Sequence, residues 1–212
     1  MKSICTFVAA TLALFAAPFS HADGDPAKTK DCTPLLRTPF DRGGKEFQIG
    51  LGAMNSVNNH GAARPRFIDV DLTARFGWML CSPTGGGIFR GNWEFLIDGG
   101  VGAIVDGPGD VRAELAILLR YNFVQPAAKF VPYFQGGGGA EYSNIFTDHT
   151  QHVLGSALNF NLQAAFGCRY LCSDRCAVYA EVGYRHASNA GITDSNLGLN
   201  WIGGQVGVSL FY

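Results

Sequence analysis

The sequence predicts an all-β protein, an eight-stranded antiparallel transmembrane β-barrel of the bacterial outer membrane, and three observations carry this prediction. Of the 212 residues, 47% are hydrophobic and only 16% are charged. The 28 glycines disfavour helices, because Gly costs about 1 kcal/mol relative to Ala inside a helix. Beyond the N-terminus, apolar and polar residues alternate with the period of a strand, in stretches whose length suits a tilted bilayer crossing.

The N-terminal residues are expected to lie outside the barrel. Residues 1–22 combine the positive charge of Lys2, an apolar run over 4–19 and a small-residue cleavage motif, which together predict a secretory signal peptide. The run is short of the ~20 residues that a membrane-spanning helix needs. Residues 23–44 are polar and contain several prolines, so we expect an irregular periplasmic segment, followed by the barrel over 45–212.

The alternation is clearest over 111–123, where Val111 and Leu115 share one face while Arg112 and Glu114 share the other. A β-sandwich would alternate as well. The even number of segments, their length and the aromatic residues at their ends favour a membrane barrel. The predicted strands are 46–54, 66–78, 90–104, 111–123, 130–143, 157–168, 176–188 and 200–212.

The polar faces carry charges of both signs, which an eight-stranded barrel would direct into a narrow lumen filled by side chains. Opposite charges can pair there, so a small pore is a poor alternative. The Gly136–Gly139 run is expected to leave room for bulky inward neighbours. The predicted inward charges are Asp69, Asp71, Arg75, Glu94, Asp98, Arg112, Glu114, Arg120, Glu141, Glu181 and Arg185. The predicted interface aromatics are Trp78, Tyr121, Phe123, Tyr142, Tyr184, Phe211 and Tyr212.

Strand parity sets the topology, and the cysteines agree with it. If both termini are periplasmic, the turns after strands 2, 4 and 6 are periplasmic and the other connections are extracellular. Five cysteines follow the signal peptide, and all of them fall on the periplasmic side under this topology. An exported chain meets an oxidising compartment, so we expect two disulfides, with the fifth thiol either free or paired with another chain. The five residues are Cys32, Cys81, Cys168, Cys172 and Cys176.

The stretch 184–191, Tyr-Arg-His-Ala-Ser-Asn-Ala-Gly, lies at the extracellular end of strand 7 and carries the chemistry. Parity directs His186 and Ser188 outward, toward lipid, where a histidine has no evident structural purpose. A hydroxyl beside an imidazole is the nucleophile and base of acyl transfer. Two polar residues at the rim of the barrel would look the same, and an H-x-S spacing alone is common by chance.

The segment His186–Ile192, followed by Asn196-Leu-Gly198-Leu, resembles the signature of the outer-membrane lipid A 3-O-deacylases, which belong to the acyloxyacyl hydrolase family. The resemblance extends over residues 130–212. It implies an enzyme without cofactor that removes the ester-linked acyl chain at position 3 of lipid A. By this resemblance Ser188 is the nucleophile and His186 the general base.

The resemblance also marks a departure from the family. Asn200 stands where the family has the glutamate of its triad. Parity along strand 8 places Asn200 on the outward face, beside the strand that carries His186 and Ser188. An amide oxygen can still accept from the imidazole, as in Cys-His-Asn proteases. Asp194 is a weaker candidate for the missing carboxylate. Asn189, Gly191 and Asn196 are candidate oxyanion or positioning groups. The alternative is a non-catalytic barrel, an adhesin or envelope-stabilising protein with a degraded site.

Other partners are restricted by composition. The formal net charge of −1 gives no surface for nucleic acid, so the expected partners are lipid A, lipopolysaccharide and outer-membrane lipids. Whether the protein forms a homodimer stays open. His149 and His152 beside Asp148, and His60 in another loop, are interpreted as solvated residues and not as metal ligands.

Overall fold

The chain forms one closed antiparallel barrel in which each strand pairs with its sequence neighbours and β8 pairs with β1. The computed structural model of the protein describes residues 38–57 and 64–212. The predicted signal peptide, most of the predicted N-terminal segment, Cys32 and His60 lie outside these residues. The eight-stranded fold confirms the fold class predicted from the sequence.

The observed strands agree closely with the predicted ones, with one clear exception. Strand β6 was predicted to end at Cys168 but continues to Ser173. It does so because Arg169 points inward and binds carboxylates of the lumen, so the cysteine cluster is not one long turn. The strands are β1 (Lys45–Ser56), β2 (Ile68–Met79), β3 (Asn92–Asp106), β4 (Val111–Asn122), β5 (Phe130–Ser143), β6 (Leu158–Ser173), β7 (Cys176–Ser188) and β8 (Leu199–Phe211).

Two short 3-10 helices, Gly87–Phe89 and Ile145–Thr147, lie in the connections. Among the described residues, no helix is long and apolar enough to cross a membrane. We call the end of the barrel where β1 begins and β8 ends the terminal end, and the opposite end the distal end. Strand parity predicts that the terminal end is periplasmic and the distal end extracellular.

Burial alternates along the strands as the sequence pattern predicts. On β1, Ile49 and Leu51 are exposed on the outer wall, whereas Glu46 and Gln48 are fully buried in the lumen. The same division holds around the barrel, so the outer wall is largely apolar and the lumen is polar. A wall of this kind is stable where lipid, not water, surrounds it.

The lumen is filled by ion pairs in three groups. Near the terminal end, Arg169 Nε lies 2.8 Å from Glu46 Oε1, and Arg120 Nη1 lies 3.1 Å from Glu46 Oε2. In the middle, Arg75 Nε lies 2.6 Å from Asp98 Oδ1. Toward the distal end, Arg112 Nη2 lies 2.6 Å from Asp69 Oδ2. The predicted inward charges are therefore confirmed, and Glu46 and Arg169 are two inward charges that the sequence analysis missed.

Both mouths of the barrel are closed by apolar clusters. At the distal end the rings of Phe67 and Trp201 meet edge to face with centroids 5.8 Å apart. At the terminal end Phe40 packs on Phe211 with centroids 5.5 Å apart. The assignment of Phe211 to an interface girdle was therefore wrong, because this ring turns inward and is 5% exposed.

Two further expectations need correction. The four described cysteines are free thiols, so two disulfides are not formed. Cys176 pairs across the hairpin with Ser173 because of an irregularity at Cys172, and Cys81 lies at the β2–β3 connection. The glycine run of β5 serves close strand approach, since a Cβ on Gly137 would lie 2.0 Å from the carbonyl oxygen of Ile117.

Replacement of Arg169 by methionine tests the importance of the ion pairs. We expect Arg169→Met to lower the free energy of unfolding by about 3–5 kcal/mol, because it leaves the buried carboxylates of Glu46 and Glu94 without this partner. Urea titration of the barrel refolded in detergent micelles, followed by tryptophan fluorescence, measures the change. The control is Arg175→Met at the exposed β6–β7 turn, and equal stability of the two variants would contradict the expectation.

Candidate active site

The candidate site lies on the outer wall, at the distal ends of β7 and β8. His186 pairs directly with Asn200 across the two strands, and Ser188 pairs with Phe160 of β6. His186 and Ser188 are half-buried and alternate with the buried Ala187, so both lie on the outward face. Two residues apart on one strand face, their Cα atoms are about 6.7 Å apart. The structure thus joins His186 to Asn200 and places Ser188 on the same outward face, two residues further along β7.

The position of the imidazole is set by Asn200. Nδ1 of His186 lies 2.6 Å from Oδ1 of Asn200. Because an amide oxygen only accepts hydrogen bonds, Nδ1 must carry the hydrogen and Nε2 must be the nitrogen that can accept a proton. This tautomer is the one that a general base for a serine hydroxyl requires.

Tyr184 is a member of the site that the sequence analysis missed, having assigned it to the interface girdle. Its hydroxyl donates to the same Oδ1 of Asn200, over 2.7 Å. Tyr184 pairs with Ile202, two residues from Asn200 along β8, and such diagonal neighbours on one sheet face lie within reach of long side chains. Tyr184 lies on the same outward face of β7 as His186, and this shared parity is the feature of the sequence that could have identified it as part of the site.

The three candidate oxyanion or positioning residues hold the β7–β8 loop together. The backbone N–H of Asn189 donates to Oδ1 of Asn196 over 2.9 Å, and the N–H of Gly191 donates to Oδ1 of Asn189 over 3.0 Å. The side chain of Asn189 is fully buried. Ala190 and Gly191 both have positive φ, as a type I′ turn requires, and the N–H of Ile192 closes the turn on the carbonyl of Asn189.

Gly198 lets the loop pass close to the imidazole. It has a φ of +75°, and a Cβ at this position would lie 2.9 Å from Cε1 of His186. Its backbone N–H donates to the carbonyl of Val153 in the β5–β6 connection, over 3.0 Å. Two loops therefore meet beside the histidine and fix the backbone that surrounds it.

The site lies between two concave surfaces of different chemistry. An apolar groove of about 240 Å³ runs along the outer wall, with Ala164, Phe166, Val182 and Tyr184 among its lining residues. A polar crevice of about 290 Å³ lies between the β5–β6 and β7–β8 connections. Its lining residues are Phe146, Asp148, His149, Gln151, Gly155, Thr193, Asp194 and Ser195.

The loop residues around the crevice include the other candidate carboxylate and the histidines noted in the sequence. Asp194 lines it, whereas the residue that contacts Nδ1 of His186 is Asn200. His152 Nδ1 lies 3.3 Å from Oγ of Ser195. Within residues 38–57 and 64–212, no group of three or more His, Cys, Asp or Glu side chains is arranged to hold a metal ion.

Comparisons with known proteins agree with the resemblance seen in the sequence. The family model described as lipid A 3-O-deacylase (PagL) matches residues 72–209. The crystal structure of the outer membrane enzyme PagL is similar with a TM-score of 0.56 and 20% identity, covering 76% of this chain and 97% of that chain. Neisserial surface protein A is similar with a TM-score of 0.50 and 12% identity, covering 80% and 98%. No curated protein sequence matches the chain at a significant level.

A methyl group at position 198 tests the arrangement around His186. We expect Gly198→Ala to displace the imidazole and to remove the hydrogen bond from Nδ1–H to Asn200, seen as loss of a downfield-shifted imidazole proton in the NMR spectrum. The control is Gly43→Ala, because Gly43 has a φ of +84° and no atom lies within 4 Å of the position its Cβ would take. Both changes should cost about 1–2 kcal/mol of backbone strain. Retention of the proton in Gly198→Ala would contradict the geometry.

Proposed function

The chain belongs to the lipid A 3-O-deacylase (PagL) family of the bacterial outer membrane, and from this premise we propose that it hydrolyses the 3-O-acyl ester of lipid A with Ser188 as nucleophile. His186 is the general base, and Asn200 orients it. The observation that carries the proposal is the 2.6 Å contact between Nδ1 of His186 and Oδ1 of Asn200. It fixes the tautomer that catalysis requires even though the family's carboxylate is absent.

The reaction proceeds in two steps. Nε2 of His186 takes the hydroxyl proton of Ser188 while Oγ attacks the ester carbonyl, and the resulting tetrahedral intermediate collapses to an acyl-enzyme. His186 then gives the proton to the departing sugar oxygen, so the 3-hydroxyl of the glucosamine leaves as a neutral alcohol. In the second step water attacks the acyl-enzyme with the same base, and the free fatty acid is released.

The residues that the sequence suggested as oxyanion donors have a different role in this proposal. The N–H groups of Asn189 and Gly191 already bind side-chain oxygens of the loop. Asn189 and Asn196 therefore act as positioning residues. Ala190 is an exposed residue of the turn in this loop, and its N–H is the group assigned to the oxyanion in this proposal.

The outward position of the site suits a lipid substrate. The lumen is filled by ion pairs, so a substrate with acyl chains reaches the protein laterally, from the membrane. The apolar groove on the wall offers a surface for the acyl chain, and the polar crevice lies on the loop side. The alternative of a non-catalytic adhesin or envelope-stabilising barrel is favoured only by Asn200, and the retained contact with His186 argues for the enzyme.

Removal of the nucleophile tests the activity directly. We expect wild-type protein to remove one hydroxyacyl chain from lipid A, and Ser188→Ala to lose about 10⁴-fold or more in rate, as when a serine hydrolase loses its nucleophile. Mass spectrometry of lipid A from cells expressing each protein measures this. Ser195→Ala, a serine in the adjoining loop, is the control. Unchanged lipid A with the wild-type protein would contradict the proposal.

Substitution of Asn200 tests its role as the orienting group. Asn200→Ala removes the acceptor for Nδ1–H and should lower kcat about tenfold or more, with KM little changed, since one hydrogen bond to the base is lost. Asn200→Asp keeps an acceptor and adds a charge that stabilises the imidazolium, so kcat should rise. Steady-state hydrolysis of a soluble ester gives both values. A rate for Asn200→Ala equal to that of wild type would exclude this role.

A further inference from the structure

The cations on the outside of the barrel are distributed unevenly. At the terminal end the rim carries Arg42, Lys45, Arg90, Lys129 and Arg175. The four distal connections, over 57–67, 107–110, 144–157 and 189–198, contain two Lys or Arg residues in total, Arg64 and Arg66. Both lie in the connection between β1 and β2. The distal rim is where the head groups of outer-leaflet lipids would lie.

Arg66 lies in the same row of the outer wall as the candidate active site. The N–H of Val57 donates to the carbonyl of Asn200 over 2.9 Å, which places Val57 beside Asn200. The β1–β2 register pairs Asn55 with Ile68 and, continued by two residues, places Arg66 opposite Val57. The row therefore runs from His186 through Asn200 and Val57 to Arg66. Three strand spacings of about 4.8 Å separate its ends by about 14 Å.

The guanidinium of Arg66 is held on the outer face and is exposed. Its Nε donates to Oδ1 of Asn55 over 3.1 Å, and Asn55 alternates with the buried Met54 and Ser56. This bond directs the side chain along the wall and uses one of the five N–H donors of the guanidinium. The planar donor fork of an arginine matches the oxygens of a phosphate better than a lysine does.

On the side of the site away from Arg66, the loop residues carry negative charge. Asp148 and Asp194 line the polar crevice between the β5–β6 and β7–β8 connections. A phosphate would be repelled from the crevice by these carboxylates and attracted to Arg66. The head group of lipid A carries phosphates on the same sugars as its acyl esters, so a single molecule can present an ester at Ser188 and a phosphate on the β1–β2 side.

We propose that Arg66, with Arg64 two residues before it in the chain, forms a binding site for a phosphate of the lipid head group and orients the ester at Ser188. This inference rests on the proposed function for the identity of the lipid. The site itself rests on Arg66, its contact with Asn55 and its row position. The phosphate belongs to the substrate molecule or to a neighbouring lipid of the same leaflet.

Binding of lipid A to a barrel that lacks the proposed nucleophile tests the proposal without hydrolysis. Full-length protein with Ser188→Ala, folded in detergent micelles, is titrated with lipid A and with dephosphorylated lipid A. We expect about tenfold tighter binding of the phosphorylated form, since charge-assisted bidentate hydrogen bonds are stronger than hydrogen bonds between neutral groups. In Ser188→Ala/Arg66→Gln this preference should fall below about twofold. High salt should reduce it in the parent protein, because exposed charges are screened.

The control variant is Ser188→Ala/Arg175→Gln, which removes an exposed arginine at the terminal end and should keep the preference. Equal binding of the two lipids by the parent together with no effect of added phosphatidic acid, or an undiminished preference after Arg66→Gln, would overturn the phosphate site. Because neither measurement needs hydrolysis, failure of the esterase proposal would appear separately, as unchanged lipid A with wild-type protein.

Phosphatidic acid added to the micelles distinguishes a phosphate of the substrate from a phosphate of a neighbouring lipid. If it tightens binding of dephosphorylated lipid A in an Arg66-dependent way, the phosphate is that of a neighbouring lipid.

Discussion

Arg112, Arg120 and Arg169 are fully buried in the lumen, and each lies within salt-bridge distance of at least two carboxylates. A buried charge that lost its partner would destabilise the barrel by several kcal/mol. The interior therefore depends on every member of these groups, and it leaves no room for a substrate. A lipid substrate would therefore meet the protein outside the lumen, and Ser188, His186 and Asn200 lie on the outer wall.

The alternation of residue types was enough to predict the barrel, because each strand has to separate a charged lumen from lipid. It predicted β7 at its observed bounds and the inward position of Glu94 and Arg112. The inward position of Phe211 follows the alternation of β8, so its assignment to the girdle overlooked that pattern. Alternation did not predict the end of β6, since this depends on the tertiary contact of Arg169 with Glu46. The disulfide prediction was wrong for a similar reason. Spacing along the chain does not show that Cys176 pairs with Ser173.

The candidate site was predictable as a set of residues but not as a hydrogen-bonded arrangement. Parity placed His186, Ser188 and Asn200 on one face, and the strand register confirms that His186 and Asn200 are neighbours. Parity could not show that Tyr184 binds Asn200, or that Asn189 and Gly191 use their hydrogen bonds within the loop. Those contacts depend on rotamers and on the turn conformation of Ala190, which residue types alone leave open.

A neutral amide in place of a carboxylate keeps the orientation of the imidazole and gives up the stabilisation of its charged form. In the proposed mechanism the site is a slower version of a serine hydrolase, in which His186 still activates Ser188. Treatment of the folded wild-type barrel with a fluorophosphonate, followed by peptide mapping, measures this activation directly. Activation of Ser188 by His186 predicts an adduct on Ser188 that does not form after unfolding. A folded barrel in which Ser188 stays unmodified would contradict it.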